Sequence, residues 1–217
     1  MLSAVIPTLN AAPMLADTLV RIRAADEIVV VDGGSSDETV AIAEGHGARV
    51  IRSPKGRGLQ LRSGGEAARG DWLLFLHADT LPGHGWRRAA DAHAASAPDK
   101  AACFRFRLLD RSWQARLVER GVAARVRLLG LPYGDQGLLT PRALYEAVGG
   151  YRPLPLMEDV DLVRRIGRNR LRLLDEDAWT SAERWQRDGW LRRSARNFGI
   201  LALYRAGVSP ERLARLY

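Results

Sequence analysis

Polar and apolar positions follow two rhythms over the first hundred residues. Short apolar runs at 3–7 (SAVIP), 27–32 (EIVVVD), 48–52 (ARVIR) and 72–76 (WLLFL) read as strands, and the last of these reads as buried on both faces. Between them lie segments whose apolar residues return every three or four positions, which predicts helices over about 13–23, 37–44, 57–69 and 85–96. Pro13 falls in a first helical turn, where its missing N–H does no harm, and Asp37 reads as a helix cap. Strand and helix alternating in this way predict an α/β chain with a doubly wound, mostly parallel central sheet.

The second half is less regular. Residues 101–109 (AACFRFRLL) alternate as a half-exposed strand would, and helical spacing follows over 111–129, 141–149 and 158–168. A last strand is expected at 171–174. One long helix is expected over about 184–206, and a final short one after Ser209 with Pro210 in its first turn. No repeat or linker interrupts the chain, so its 217 residues predict a single domain with a core of its own.

Composition narrows the chemistry. Hydrophobic residues are 47% and charged ones 27%, as in an ordinary globular domain. Cys103 stands alone, so neither an internal disulfide nor a cysteine metal cluster can form. Lysine and arginine number 33 against 25 acids, a net charge of +8, and nearly all the bases are arginine, which suits phosphate. No zinc-finger spacing, RNA-recognition motif or basic heptad accompanies this surplus, so nucleic acid is not expected as a partner. The turn after the first strand, TLNAAP, lacks the Gly-x-Gly-x-x-Gly fingerprint, which disfavours nicotinamide and flavin chemistry. MLSAVIP lacks the basic leader of a signal peptide, and no apolar run nears the roughly 20 residues needed to span a bilayer. The expectation is a cytoplasmic chain. Trp185, Trp190 and Phe198 among the arginines of the last long helix leave open whether that helix packs in the core or touches a membrane surface.

Three acidic positions follow apolar runs and precede a turn or helix: Asp32 before GGSSDET, Asp79 at the end of 72–80 (WLLFLHADT), and Asp159 in 158–162 (EDVDL). A parallel sheet gathers such positions along the edge where ligands bind. Around them, Lys55 and Arg57 between glycines at a helix start read as an anion cradle or as a solvated loop. Asp135 in PYGDQG reads as a turn stabiliser or a substrate contact, and His77 as a metal ligand or a side chain simply held in the sheet. Asp159 and Asp161 cannot share one side of their helix, so one of them is free for chemistry.

With VIPTLN, VVDGGSSDET, LLFLHADT and LMEDVDL in this order and spacing, the chain resembles the family 2 glycosyltransferases, which have the GT-A fold. KGRGLQL, FLHADT, PYGDQG, TSAERW and GVSPERLARLY are similar to the narrower radical-SAM/selenodomain-associated subgroup. The resemblance implies a nucleotide-binding half over 1–100, an acceptor and catalytic half over 101–183, and helices over 184–217. It implies that Asp32, with Pro7 and Thr8, contacts the base or ribose of a nucleotide-sugar, and that Lys55, Arg57, Gln60 and Asp135 also face the donor. Asp79 would take the last position of the family's Asp-x-Asp motif, with His77 in the place of the first Asp, holding Mg2+ or Mn2+. A histidine is the softer ligand, which leaves two expectations open, a weak metal dependence or a preference for Mn2+. Asp159, in the Glu158–Asp159 pair, would be the general base of an inverting transfer to an unidentified acceptor hydroxyl, a lipid-linked one among the options. Two rival readings remain at this stage: a non-catalytic module binding a nucleotide-sugar or a protein partner, and a nucleotidyltransferase.

Overall fold

The computed structural model of the protein describes residues 1–216. The predicted first half forms as four parallel strands, β1 (Leu2–Thr8), β2 (Glu27–Asp32), β3 (Arg49–Arg52) and β4 (Trp72–Phe75), alternating with helices α1 (Ala12–Ile22), α2 (Thr39–Gly45) and α3 (Arg57–Ala67). The chain continues through β5 (Thr80–Pro82), α4 (Trp86–Ser96), β6 (Ala101–Leu108), α5 (Trp113–Leu129), β7 (Leu138–Pro141), α6 (Arg142–Ala147), α7 (Glu158–Ile166) and β8 (Leu171–Thr180). It closes with α8 (Glu183–Asp188), α9 (Trp190–Arg205) and α10 (Pro210–Leu216). All eight strands join one sheet in the order β3-β2-β1-β4-β7-β6-β8-β5. Tyr217, the last residue of the GVSPERLARLY segment, lies outside the described residues.

Strand periodicity explains the two layers of helices. In β1, Val5 joins Val31, Leu73 and Phe75 in a core shared with Leu61 of α3, Leu144 of α6 and Val160 of α7. Its neighbours Ala4 and Ile6 point the other way, into a second core with Leu15, Leu19 and Ile22 of α1 and Trp86 of α4. A strand covered on both faces must be apolar throughout, and every residue of β1 is buried.

Several expectations change. Strand β4 stops at Phe75, one residue short of the expected 72–76; the chain then turns through His77 and Asp79, and β5 pairs antiparallel with β8 at the far end of the sheet. Strand β7 was not expected, yet it lies antiparallel between β4 and β6 near the sheet centre. The first four residues of β6 are buried rather than alternating, because β7 and β8 flank them and both cores enclose them. Strand β8 runs well past 174 through Asp175, Glu176 and Asp177, acids tolerated there because Arg105 bonds Asp175 and Asp177. The long helix expected over 184–206 is broken at Gly189 (φ 85°), a left-handed position that suits glycine. Asp37 proves structural: its carboxylate accepts from Thr39 N at 3.0 Å and from Ala12 N at 3.2 Å, tying α1 to α2.

Helices α3 and α7 are joined by an ion pair between Arg57 Nε and Glu158 Oε1. The Glu158 side chain is 1% exposed and that of Arg57 38%, so water reaches only one partner. Burial raises the Glu158 pKa, and Arg57 opposes the rise.

Two measurements check this packing. A Cβ at Gly64 of α3 would collide with Val5 Cγ1 and lie 2.8 Å from Val31 Cγ2, whereas one at Gly121 of α5 meets nothing within 4 Å. Urea unfolding should show Gly64→Ala losing about 1–3 kcal/mol to overpacking, and Gly121→Ala gaining about 0.5–1 kcal/mol of helix propensity. Arg57→Met leaves the Glu158 carboxylate buried without its cation and should destabilise by about 2–3 kcal/mol at pH 8, the lower end because Arg57 is partly solvated. A carboxyl whose folded pKa is raised weakens the fold as pH climbs through the interval between its unfolded and folded values. The Arg57→Met deficit should therefore shrink towards pH 5 and largely vanish when Glu158→Met is added; a deficit constant in pH would contradict this.

Candidate functional site

The carboxyl end of β2 makes a turn built by one side chain. Asp32, 2% exposed, accepts from Gly34 N at 3.0 Å and from Ser35 N at 3.0 Å, which folds the GGSS segment back over the strand end. Beneath it Gln60 of α3 donates to Thr8 O at 2.7 Å and Val31 O at 2.8 Å, joining the ends of β1 and β2. Pro7 and Thr8 are buried at the same level. Asp32, Thr8 and Gln60 thus spend hydrogen bonds on the shape of this edge. Lys55 is exposed on the loop before α3, and Gly58 packs against the backbone of Arg152 and Leu154.

A second group of residues surrounds a cavity of about 120 Å³ between the β4–β5 turn, the 133–135 loop, the start of α7 and the α8–α9 pair. His77, Asp79, Asp135, Asp159 and Arg57 all line it. Asp32, Lys55 and Gln60 lie outside that lining. Asp159 sits in the first turn of α7, which begins after Met157 in a left-handed conformation (φ 65°). Its two oxygens are held apart in function: Oδ1 accepts from Val160 N at 2.7 Å and Oδ2 from Gly134 N at 2.8 Å. Asp161, two residues on, is taken by Arg152 at 3.2 Å and Arg165 at 2.6 Å. Of the acids at the helix start, Glu158 is paired with Arg57, Asp161 with two arginines, and Asp159 faces the cavity.

The electrostatics of the cavity keep several groups off their ordinary values. Burial, with Arg57 and Arg184 nearby, holds the His77 imidazole well below its usual pKa, so it is neutral at pH 7. Burial raises Asp135 to about 6, with Asp159 and Asp79 adding to the rise and Arg125 and Arg57 opposing it. Arg125 also lies over the Tyr133 ring at 3.4 Å from its centroid, fixing the loop that carries Gly134 and Asp135. Gly134 is needed here, because a Cβ would collide with His77 Nε2 and sit 2.9 Å from Cε1.

Some polar atoms at the cavity are buried with no hydrogen-bond partner: His77 Nε2, Asp135 Oδ1 and Asn197 Oδ1 among them. Such atoms are rare without a purpose, since each forfeits its hydration. A neutral imidazole nitrogen and carboxylate oxygens are suitable donors for Mn2+ or Mg2+, so the residues fit a divalent cation. Among the described residues no three His, Cys, Asp or Glu side chains converge as a ready-made metal site.

Sequence reasoning did not single out Arg184, Arg193 or Asn197, which come from α8 and α9 to line the same cavity. They arrive there because the chain breaks at Gly189, and the arginine density of 184–196 was the available signal. Thr180 and Ser181, in the TSAERW segment, line it too.

Residues 3–131 match Glycosyl transferase family 2. A PGL/p-HBAD biosynthesis glycosyltransferase of Mycobacterium bovis is 42% identical over 90 residues, covering 36% of this chain and 35% of that protein. The chain therefore aligns with about a third of the length of that relative. S. aureus TarS 1-349 superposes with a TM-score of 0.67 at 17% identity, over 83% of this chain and 60% of that one. A glucosyl-3-phosphoglycerate synthase from Mycobacterium tuberculosis, in complex with Mn2+, uridine diphosphate and glucosyl-3-phosphoglycerate, superposes with a TM-score of 0.58 at 21% identity, over 83% of this chain and 70% of that one. At such identities these structures speak for the fold, and the mostly parallel sheet flanked by helices is the GT-A fold. With more than half its length under that profile, the chain belongs to glycosyltransferase family 2.

Proposed function

We propose that the protein transfers a sugar from a nucleotide-sugar donor to an acceptor hydroxyl, inverting the anomeric carbon in a single displacement. The observation that carries this reading is the placement of Asp159. It faces a cavity shared with Asp79, His77 and Asp135, with both oxygens oriented by backbone N–H groups of Gly134 and Val160.

In this mechanism Asp159 takes the proton of the attacking hydroxyl, and the second lone pair on each oxygen leaves it able to do so. Glu158 is a positioning residue, since its pair with Arg57 fixes the helix start. Asp32 and the edge formed by Pro7, Thr8 and Gln60 make the slot for base or ribose, and Lys55 and Arg57 meet the phosphates. Asp79 and His77 would hold Mn2+ or Mg2+, with Asp135 alongside. Once bound, such an ion supplies positive charge against the negative charge that develops on the leaving diphosphate. Solved proteins of this fold hold UDP with Mn2+ in one case and UDP-GlcNAc in another, which makes a uridine nucleotide the first donor to try. Membership of the radical-SAM/selenodomain-associated subgroup, and a division into a donor half over 1–100, an acceptor half over 101–183 and closing helices, belong to the same proposal.

Asp159→Asn should lower kcat by about 10²- to 10⁴-fold while leaving donor binding intact, because only the proton acceptor is lost. Parallel loss of binding and turnover would assign Asp159 to structure instead. In a thermal-shift assay UDP should stabilise the wild type more with Mn2+ than with EDTA, by up to about 2.7 kcal/mol at a hundredfold excess over Kd. That Mn2+ increment should vanish in Asp79→Ala; an unchanged increment would remove Asp79 from the ion's ligands.

A further inference from the structure

We infer that the acceptor is an amphiphile whose hydrocarbon chain lies in an apolar groove between α5 and α9, an inference that rests on the transferase reading above. The groove has a volume of about 530 Å³, within the range of sites that enclose small molecules, and its walls are almost wholly apolar. Trp113, Leu117 and Leu128 of α5 form one side, and Trp190, Leu191 and Phe198 of α9 form the other. These are not core residues left slightly open: Trp113 is 71% exposed, Phe198 73% and Leu191 81%. Exposed apolar surface gathered in one trough marks a binding site, whereas single apolar residues scattered over a surface do not.

The position of the groove names its occupant. Tyr133, Asp135, Trp185 and Asn197 line both the groove and the cavity that holds Asp159, so the trough opens onto the site of transfer. At that junction Asp135 Oδ1 and Asn197 Oδ1 are buried with no hydrogen-bond partner. Both atoms are acceptors, so a molecule with its tail in the trough would bring its accepting hydroxyl, a donor, against them. Arg193 is paired with Asp188, so Arg184 is the cavity guanidinium left to meet an anionic group beside that hydroxyl, such as a phosphate.

The test uses n-alkyl phosphates of six to twelve carbons below their micellar concentrations, with binding followed by fluorescence of the tryptophans in the groove. Burial of each methylene in the trough should tighten Kd about fourfold. A plug at Gly121 supplies the control. This residue lines the groove from an exposed face of α5, and a Cβ there meets nothing, so Gly121→Trp should fold and fill the trough. It should weaken dodecyl phosphate at least tenfold while leaving UDP binding with Mn2+ unchanged. Affinity independent of chain length, or a dodecyl phosphate Kd that ignores the plug, overturns the inference. So does a wild-type dimer in sedimentation that Gly121→Trp dissociates, since a second copy would then cover the groove. Absence of UDP binding alongside a clear chain-length dependence would count against the transferase reading and leave the groove's occupant as stated.

Discussion

The arrangement of the site depends on one ion pair. Arg57 from the start of α3 and Glu158 from the start of α7 meet across the mouth of the fold, and the Glu158 carboxylate is almost entirely out of water. Buried without a cation, that carboxylate would sooner take a proton or leave the interior. Paired, it fixes the first turn of α7. The next residue then has a defined direction, and Asp159 meets the Gly134 amide at 2.8 Å. Gly134 in turn packs on His77, whose backbone lies in the turn leaving the central strand β4. One ionic contact therefore links the two helices, the 133–135 loop and the β4–β5 turn around a common cavity.

That chain of contacts also explains why charge of both signs collects there without collapse of the fold. Asp79, Asp135 and Asp159 line the cavity with Arg57, Arg184 and Arg193, so each acid has a cation within the same small volume. The balance is incomplete at Asp135, which is held near 6, and at His77, which is kept neutral. Groups displaced from their ordinary ionisation by burial and by specific neighbours cluster where a ligand is meant to complete the set. On the far side of Tyr133 and Trp185 the polarity changes abruptly to the apolar trough between α5 and α9. The two share Tyr133, Asp135, Trp185 and Asn197, which is the juxtaposition the proposed two-ended acceptor requires.

Much of this was legible in the amino-acid sequence, and the physical reason differs by element. Strands β1, β2 and β4 announce themselves because parallel strands covered on both faces are apolar runs, and Asp32 and Asp79 stand out as the carboxylates that close or follow such runs. Strand β7 did not, because LLTP is too short for any period and is enclosed by turn residues. Strand β5 contains Pro82 and was hidden behind the HADT turn, and the acids in β8 conceal a strand that cross-strand arginines make tolerable. Pairing can override a poor local preference, and pairing is invisible one residue at a time. At the site, Arg184, Arg193 and Asn197 were illegible for a related reason. Their helical period says nothing about the fold-back at Gly189 that carries α9 over the cavity.

In the proposed function the β4–β5 turn, the 133–135 loop and the start of α7 surround one ion-dependent donor site. Paramagnetic broadening by Mn2+ in 15N-labelled protein saturated with UDP tests it most directly, because the effect reports proximity without requiring turnover. The amides of His77, Asp79, Gly134 and Val160 should broaden together, at Mn2+ levels that leave Gly121 sharp. Broadening at the first pair without the second, or confined to another face of the protein, would contradict it.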